Sequence, residues 1–327
     1  MRVTFFKDMK QKLILIDGNS IMHRAFHAIP GMKTSQGELT NAIFGFFSVI
    51  LSLIEKENPT YMAVAFDKGK NTFRKKEFKE YKAHRPKSPD GLYEQLPKIK
   101  MILDAFAIPY YSHANFEADD ALGTLAEQAH IKGDLLSIIV TSDMDALQLV
   151  RNDVYVASPQ GFKNHIYYTP ADVIKKMDLN SDQVIDYKGL KGDASDNIPG
   201  VKGVGDKTAV ALLKEYGNLE GVYENIDKLK GSVKKKLEDN KDMAFMSKKM
   251  ATIVRDGPFK LDLNECKTRD KVDNEKVLEI FEDFELGSLI RRFKALFEGE
   301  GEVVEPERKK GAAPKQEKKE NMQISLF

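Results

Sequence analysis

Four short apolar or β-rich runs punctuate the first half of the chain: LILI at 13–16, YMAVAF at 61–66, LLSIIVT at 135–141 and VYVAS at 154–158. Runs this short and continuous suit strands buried on both faces. Helical stretches separate them, over 41–57, which stops before Pro59, and over 99–107 and 118–131. Strand and helix alternating in this way predict a doubly wound, mainly parallel α/β sheet over 11–169. Beyond it the pattern turns helical, with helices expected over 170–177, 181–190, 206–216, 231–239, 243–254 and 274–296. A helical C-terminal subdomain over 170–297 follows.

A parallel sheet gathers its strand ends at one edge, and acids recur there. Asp17 in LILIDGN and Asp67 in AVAFDKG each follow an apolar run. Glu117, Asp119 and Asp120 open a helix in FEADDALG, Asp143 and Asp145 leave a strand in VTSDMDALQL, and Asp193 and Asp196 stand three apart in GDASDN. Singly, each has an ordinary explanation as a turn residue or a helix cap. The spacing of Asp143 and Asp145 aims both carboxylates the same way. As a set in one crevice, these nine acids repel each other strongly unless divalent cations neutralise them. Oxygen-rich sites suit Mg²⁺ or Mn²⁺, and a paired metal site is the usual apparatus for hydrolysing phosphodiesters.

The formal net charge of +1 hides an uneven distribution. Between Lys68 and Lys100 there are eleven Lys or Arg residues against four acids. In TFRKKEFKEYKAHRPK, 72–87, Arg74, Lys75, Lys82 and Arg85 are interleaved with Phe73, Phe78 and Tyr81. A solvated charged helix is one reading. The other is a grip on a single strand, bases stacking while cations hold the backbone. In GVKGVGDKTAVALLKEYG, 200–217, Gly203 and Gly205 allow a tight turn that leaves backbone N–H groups at a helix N-terminus, a seat for phosphate flanked by Lys202 and Lys207. A plain glycine-rich loop between helices would look similar.

With Cys266 alone, no intrachain disulfide can form, which fits a reducing cytoplasm. The six histidines lack ligand spacing, so no Cys/His zinc site is expected. The longest apolar stretch, 42–54, is too short to span a bilayer, and MRVTFFKDMKQK lacks the core of a secretion signal. The composition of 298–322 predicts a flexible tether, after which 323–327 turns abruptly apolar.

LILIDGN, FDKGKNTFR, EYKAHR, EADDALGTLA, TSDMDALQLV and GLKGDASDNIPGVKGVGDKTA, in this order, resemble the 5′-nuclease family over residues 11–296, in the form of the 5′→3′ exonuclease domain at the N-terminus of bacterial DNA polymerase I. The resemblance implies a PIN-like α/β core, a helical arch near 70–95 and a helix-hairpin-helix at 198–217. It implies a structure-specific nuclease that removes 5′ flaps and RNA primers, acting as a monomer. Asp17, Asp67, Glu117 and Asp119 would surround one metal and Asp143, Asp145, Asp193 and Asp196 the other, with Asp120 shared or behind them. Lys82 and Arg85 would contact the scissile phosphate, Arg74, Lys75 and Tyr81 would support the DNA, and the helix-hairpin-helix is compatible with a bound K⁺. Ser142 stands where the family usually has Gly. A stand-alone nuclease is expected, and the final QISLF resembles the peptide by which bacterial replication proteins dock on the sliding clamp, with Gln323, Leu326 and Phe327 as its contacts. A PIN-like ribonuclease and a non-catalytic junction binder tethered to the clamp are the alternatives. The first has no use for the glycine turn, and the second would be expected to have lost acids.

Overall fold

A computed structural model describes residues 11–69, 71–85 and 89–299. Six strands, β1 (Gln11–Asp17), β2 (Tyr61–Ala65), β3 (Tyr110–Tyr111), β4 (Leu135–Val140), β5 (Val154–Gln160) and β6 (Asn164–Tyr168), form one sheet in the order β3-β2-β1-β4-β5-β6. All neighbours pair in parallel except β6, which runs antiparallel to β5 at the edge. The expected doubly wound sheet is present, with β3 and β6 added to it.

Both faces of the sheet are covered, which is why its strands read as continuous apolar runs. Ile14, Ile16, Met62, Val64 and Ile138 face helices Asn41–Glu57 and Leu96–Ala105. Leu13, Leu15, Ala63, Ala65 and Ile139 face helix Ala118–Lys132. The single long helix expected over 274–296 is two helices, Asn274–Asp283 and Gly287–Phe297, broken where Glu285 takes a left-handed φ of 55°. These two pack onto the α/β core, because Phe281 and Phe293 join Phe47 and Phe106 in one fully buried aromatic cluster. Truncating one such ring to Ala costs about 3–5 kcal/mol.

A separate core built on Leu190, Val201, Val204, Leu212, Leu213, Leu219 and Leu237 holds the helical part between. A seam of buried hydrogen bonds fastens it to the sheet. Gln148 donates to the carbonyl of Ala251 at 2.9 Å and accepts from the amide of Ile253 at 2.8 Å. Arg74 donates to the carbonyls of Met250 at 2.9 Å and Thr252 at 2.6 Å, and Asp120 accepts from the amide of Val254 at 2.9 Å.

Within the segment expected as a helical arch, the described residues form two short helices, Phe73–Glu77 and Asp90–Tyr93, with turns after the first. No helix among the described residues is long and apolar enough to cross a membrane. Residues beyond 299, which include most of the segment expected as a tether over 298–322 and the terminal Gln323, Leu326 and Phe327, lie outside the described residues.

Candidate active site

Asp17 ends β1 and caps the next helix, Gly18–Ala28, accepting from the amide of Ser20 at 2.9 Å. Its other oxygen accepts from the hydroxyl of Thr141 at 2.7 Å, which ties the ends of β1 and β4 together. The glycine after it is needed for space, since a Cβ on Gly18 would stand 2.3 Å from the Phe66 ring. Asp67 follows β2 and accepts from the amide of Ala118 at 2.8 Å, anchoring the start of helix Ala118–Lys132 beside β1. Asp143 accepts from the amide of Asp145 at 2.9 Å in the turn after β4. Neutral backbone and hydroxyl donors thus fix the carboxylates of the strand-end rim. The capping role and the site role coexist in the same side chains.

Asp119 completes this group from the first turn of its helix. Its Oδ1 is buried with no hydrogen-bond partner. Burial, joined by the charges of Asp17, Asp143 and Asp67, pushes its carboxyl well above the ordinary carboxylate range. Burial likewise pushes Asp17 up to about 6, against the hydrogen bonds from Ser20 and Thr141 and with the charges of Asp67 and Asp143. Asp67 is raised for the same leading reason.

Across the cleft the carboxylates have cationic partners. Lys188, on helix Val184–Lys191, donates to Asp145 and, at 2.5 Å, to Asp193. Burial works against the charge of Asp193, but Lys188 and Ser195 outweigh it and hold its carboxyl down to about 2. For Asp145 burial prevails over Lys188, and the carboxyl rises to about 6. Asp196 is clasped by Arg85 at 2.6 Å, by the Tyr81 hydroxyl at 3.2 Å and by Lys82 at 3.7 Å. Lys82 also pairs with Glu117 at 2.9 Å, from a left-handed backbone at φ 53°.

Asp17, Asp67, Glu117, Asp119, Asp143, Asp145 and Asp193 line one cleft of about 1760 Å³, together with Lys75, Lys82, Arg85 and Lys188. Two sequence assignments, those of Arg74 and Tyr81, are corrected by the geometry, and that of Asp120 is narrowed to the second of its two alternatives. Asp120 is wholly buried behind the cleft, and both its oxygens are 2.7 Å from the Arg74 guanidinium. Arg74 is itself 2% exposed, so it is a structural partner of Asp120 rather than a surface grip on DNA. Tyr81 is 3% exposed and spends its hydroxyl on Glu117 and Asp196, which leaves no face for a base to stack on. Lys188 went unnoticed in the sequence, and so did Thr141. The signal for Lys188 was its place on a helix immediately before the Asp193 turn.

The glycine turn joins helix Val184–Lys191 to helix Asp206–Tyr216. Gly203 adopts a left-handed φ of 81°, and Gly205 caps the second helix. Lys202, Gly203, Gly205 and Lys207 are exposed around it. Behind them Gly200 and Gly192 approach so closely that a Cβ on Gly200 would lie 2.2 Å from the Gly192 nitrogen.

Among the described residues, no three acidic or histidine side chains converge at the distance of one coordinated ion. The chemistry of the donor set nevertheless fits a divalent cation. A buried, unpartnered Asp119 oxygen amid the like charges of Asp17, Asp67 and Asp143 is the kind of all-oxygen donor set that a hard cation takes.

The 5′-3′ exonuclease N-terminal resolvase-like domain matches residues 12–178, and the 5′-3′ exonuclease C-terminal SAM fold matches residues 179–274. The chain is 46% identical over 297 residues to DNA polymerase I of Caldicellulosiruptor bescii, covering 90% of this chain and 34% of that protein. It is 44% identical over 285 residues to DNA polymerase I of Bacillus subtilis, covering 86% and 32%. It therefore spans about a third of the length of these curated relatives. Among solved structures, the T5 D15 protein co-crystallised with metal ions aligns with a TM-score of 0.62 at 20% identity, over 88% of this chain and 98% of that one. The catalytic core of Rad2 in complex with DNA substrate aligns at 0.58 and 19%, over 91% and 95%. At such identities these two structures establish a shared fold. With matched domains running without a gap from residue 12 to residue 274, the chain belongs to the 5′-3′ exonuclease family.

Proposed function

We propose that the chain is a metal-dependent 5′ nuclease that hydrolyses phosphodiesters at 5′ flaps and RNA-primed ends of duplex DNA, in replication and repair. The observation that carries this reading is the buried, unpartnered Oδ1 of Asp119, set among like charges in a cleft that Lys82, Arg85 and Lys188 also line. Asp17, Asp67, Glu117 and Asp119 would hold one Mg²⁺ or Mn²⁺, and Asp143, Asp145, Asp193 and Asp196 the other. Bound there, such ions would supply an activated water and stabilise the leaving oxygen.

The chain's own residues do the rest. Lys82 and Arg85 enter the cleft as cations and would neutralise charge accumulating on the phosphoryl oxygens. Their present pairing with Glu117 and Asp196 keeps them at the site before substrate arrives. Lys202 and Lys207, exposed beside Gly203 and Gly205, would hold duplex phosphates without reading sequence. A K⁺ in that turn, a cytoplasmic monomer and a clamp contact through Gln323, Leu326 and Phe327 belong to the same reading.

The test is cleavage of a 5′-labelled flap DNA and a plain single-stranded RNA, each with Mg²⁺ and with chelator. Mg²⁺-dependent cutting near the flap junction, with little RNA cleavage, is expected. Preference for the RNA would favour the ribonuclease alternative, and binding without cleavage the non-catalytic one.

A further inference from the structure

Lys188 is placed where a counterion is needed. Its ammonium lies between the carboxylates of Asp145 and Asp193, donating to both, and its side chain is 12% exposed against 17% and 16% for theirs. The two acids arrive from different parts of the fold, Asp145 from the turn after β4 and Asp193 from the turn after helix Val184–Lys191. An ammonium is all that joins them directly in this pairing. Lysine suits a reversible bridge, since it is a point charge on a flexible stem rather than a rigid fork. Its side chain also borders the open cleft, so it has somewhere to go.

On the reading of this cleft as a two-metal site, we infer that Lys188 is a built-in counterion of the second metal, displaced when that ion binds and then free to meet a substrate phosphate. One positive charge between two carboxylates leaves a net negative pair. A divalent ion in its place completes the neutralisation, so exchange is favoured once the ammonium finds another anion. The rim around Asp17 differs in degree, because Ser20 and Thr141 hold that carboxylate with neutral donors that an incoming ion need not expel, although Lys82 is paired with Glu117 on that side. The two ions should therefore bind unequally, the second weakened by competition with Lys188. Substrate phosphate, by taking the released ammonium, should strengthen it.

Titration of the full chain with Mn²⁺, read by electron paramagnetic resonance of the free ion, tests this without any turnover. Two classes of site are expected, and Lys188→Met should tighten the weaker class by about tenfold while leaving the stronger one unaltered. A folded Lys188→Met protein with both affinities unaltered overturns the inference alone. Absence of any Mn²⁺ binding by the unmodified protein overturns the two-metal reading and the inference with it. If the variant does not fold, amine labelling of the unmodified protein decides by mass spectrometry. Labelling of Lys188 should accelerate about tenfold when Mn²⁺ is added, and a rate indifferent to Mn²⁺ overturns the displacement.

Discussion

Asp119 and Asp193 line the same cleft, yet their carboxyls lie on opposite sides of the ordinary carboxylate range. Asp119 sits at the first turn of a helix, half-buried beside Asp17 and Asp143, with one buried oxygen unpartnered. Asp193 sits on a turn where Ser195 and Lys188 satisfy it. Burial disfavours charge in both places, and the outcome depends on how far donors and cations offset it, as Asp145 shows by rising to about 6 even against Lys188. One side of the cleft is therefore a crowd of like charges held by neutral donors, and the other is knit by Lys188 across Asp145 and Asp193.

The largest effect that would break this contrast is expected at Asp119. Asp119→Asn should lower flap cleavage by at least about 10³-fold, since a metal ligand's contribution of several kcal/mol is lost. The metal-free protein should melt a few degrees higher, because a carboxyl whose ionised form is disfavoured by burial and by Asp17, Asp143 and Asp67 is replaced by a neutral amide. A lower melting temperature would show that the orphan oxygen is not a strain on the fold.

Next comes Arg74, which the structure moves from the DNA surface to the interior. Arg74→Ala leaves Asp120 buried without its guanidinium and should destabilise the protein by about 3–5 kcal/mol in chemical denaturation. Normal stability with weakened flap binding would return Arg74 to the surface role read from the sequence.

The pH dependence sharpens the comparison. Folding raises the carboxyls of Asp17 and Asp145 to about 6, so between the ordinary value and about 6 the folded state binds more protons than the unfolded. Stability of the metal-free protein should fall as pH rises through that window, by on the order of 3 kcal/mol for Asp17. Asp193 has the opposite sign, and its contribution is present above the ordinary value and lost as pH falls toward about 2. Thermal scans in chelator should show a shallower fall between pH 4 and 6 for Asp17→Asn, which keeps the cap without the charge. Added Mg²⁺ should flatten the curve of the unmodified protein. Identical slopes for the two proteins would remove burial of Asp17 as the cause.

The smallest effect belongs to the exposed glycine turn. Lys207→Ala should weaken duplex affinity by less than about tenfold and reduce the salt slope by about one, equally for all sequences. A sequence-dependent loss would mean that Lys207 touches bases.

The four long apolar strands and the helix Asn41–Glu57 were legible because each has a strong periodic or continuous signal. β3 was not, being two residues long, and β6 reads NHIYY, with polar residues that suit an edge strand but resemble a loop. The break at Glu285 was hidden by apolar periodicity continuing on both sides, although Gly287 offered a hint. At the site, strand-end position exposed Asp17, Asp67, Asp143 and Asp145 as a group. Which charges face the cleft and which turn inward depends on contacts distant in sequence. Arg74 meets the carbonyl of Thr252, and Lys188 meets Asp145, neither of which any local pattern encodes.

The seam at 250–254 is contributed almost entirely by main-chain atoms on one side and by the side chains of Arg74, Asp120 and Gln148 on the other. Its tolerance of mutation is accordingly lopsided. Main-chain groups are the same in every amino acid except proline, so exchanges at 250–254 that keep the apolar packing leave the fastening intact. A change at any of the three side-chain partners strips hydrogen bonds from buried groups on both sides at once. Over many generations of substitution, this fastening of the helical part to the α/β core is thus guarded by three positions rather than by every residue of the seam.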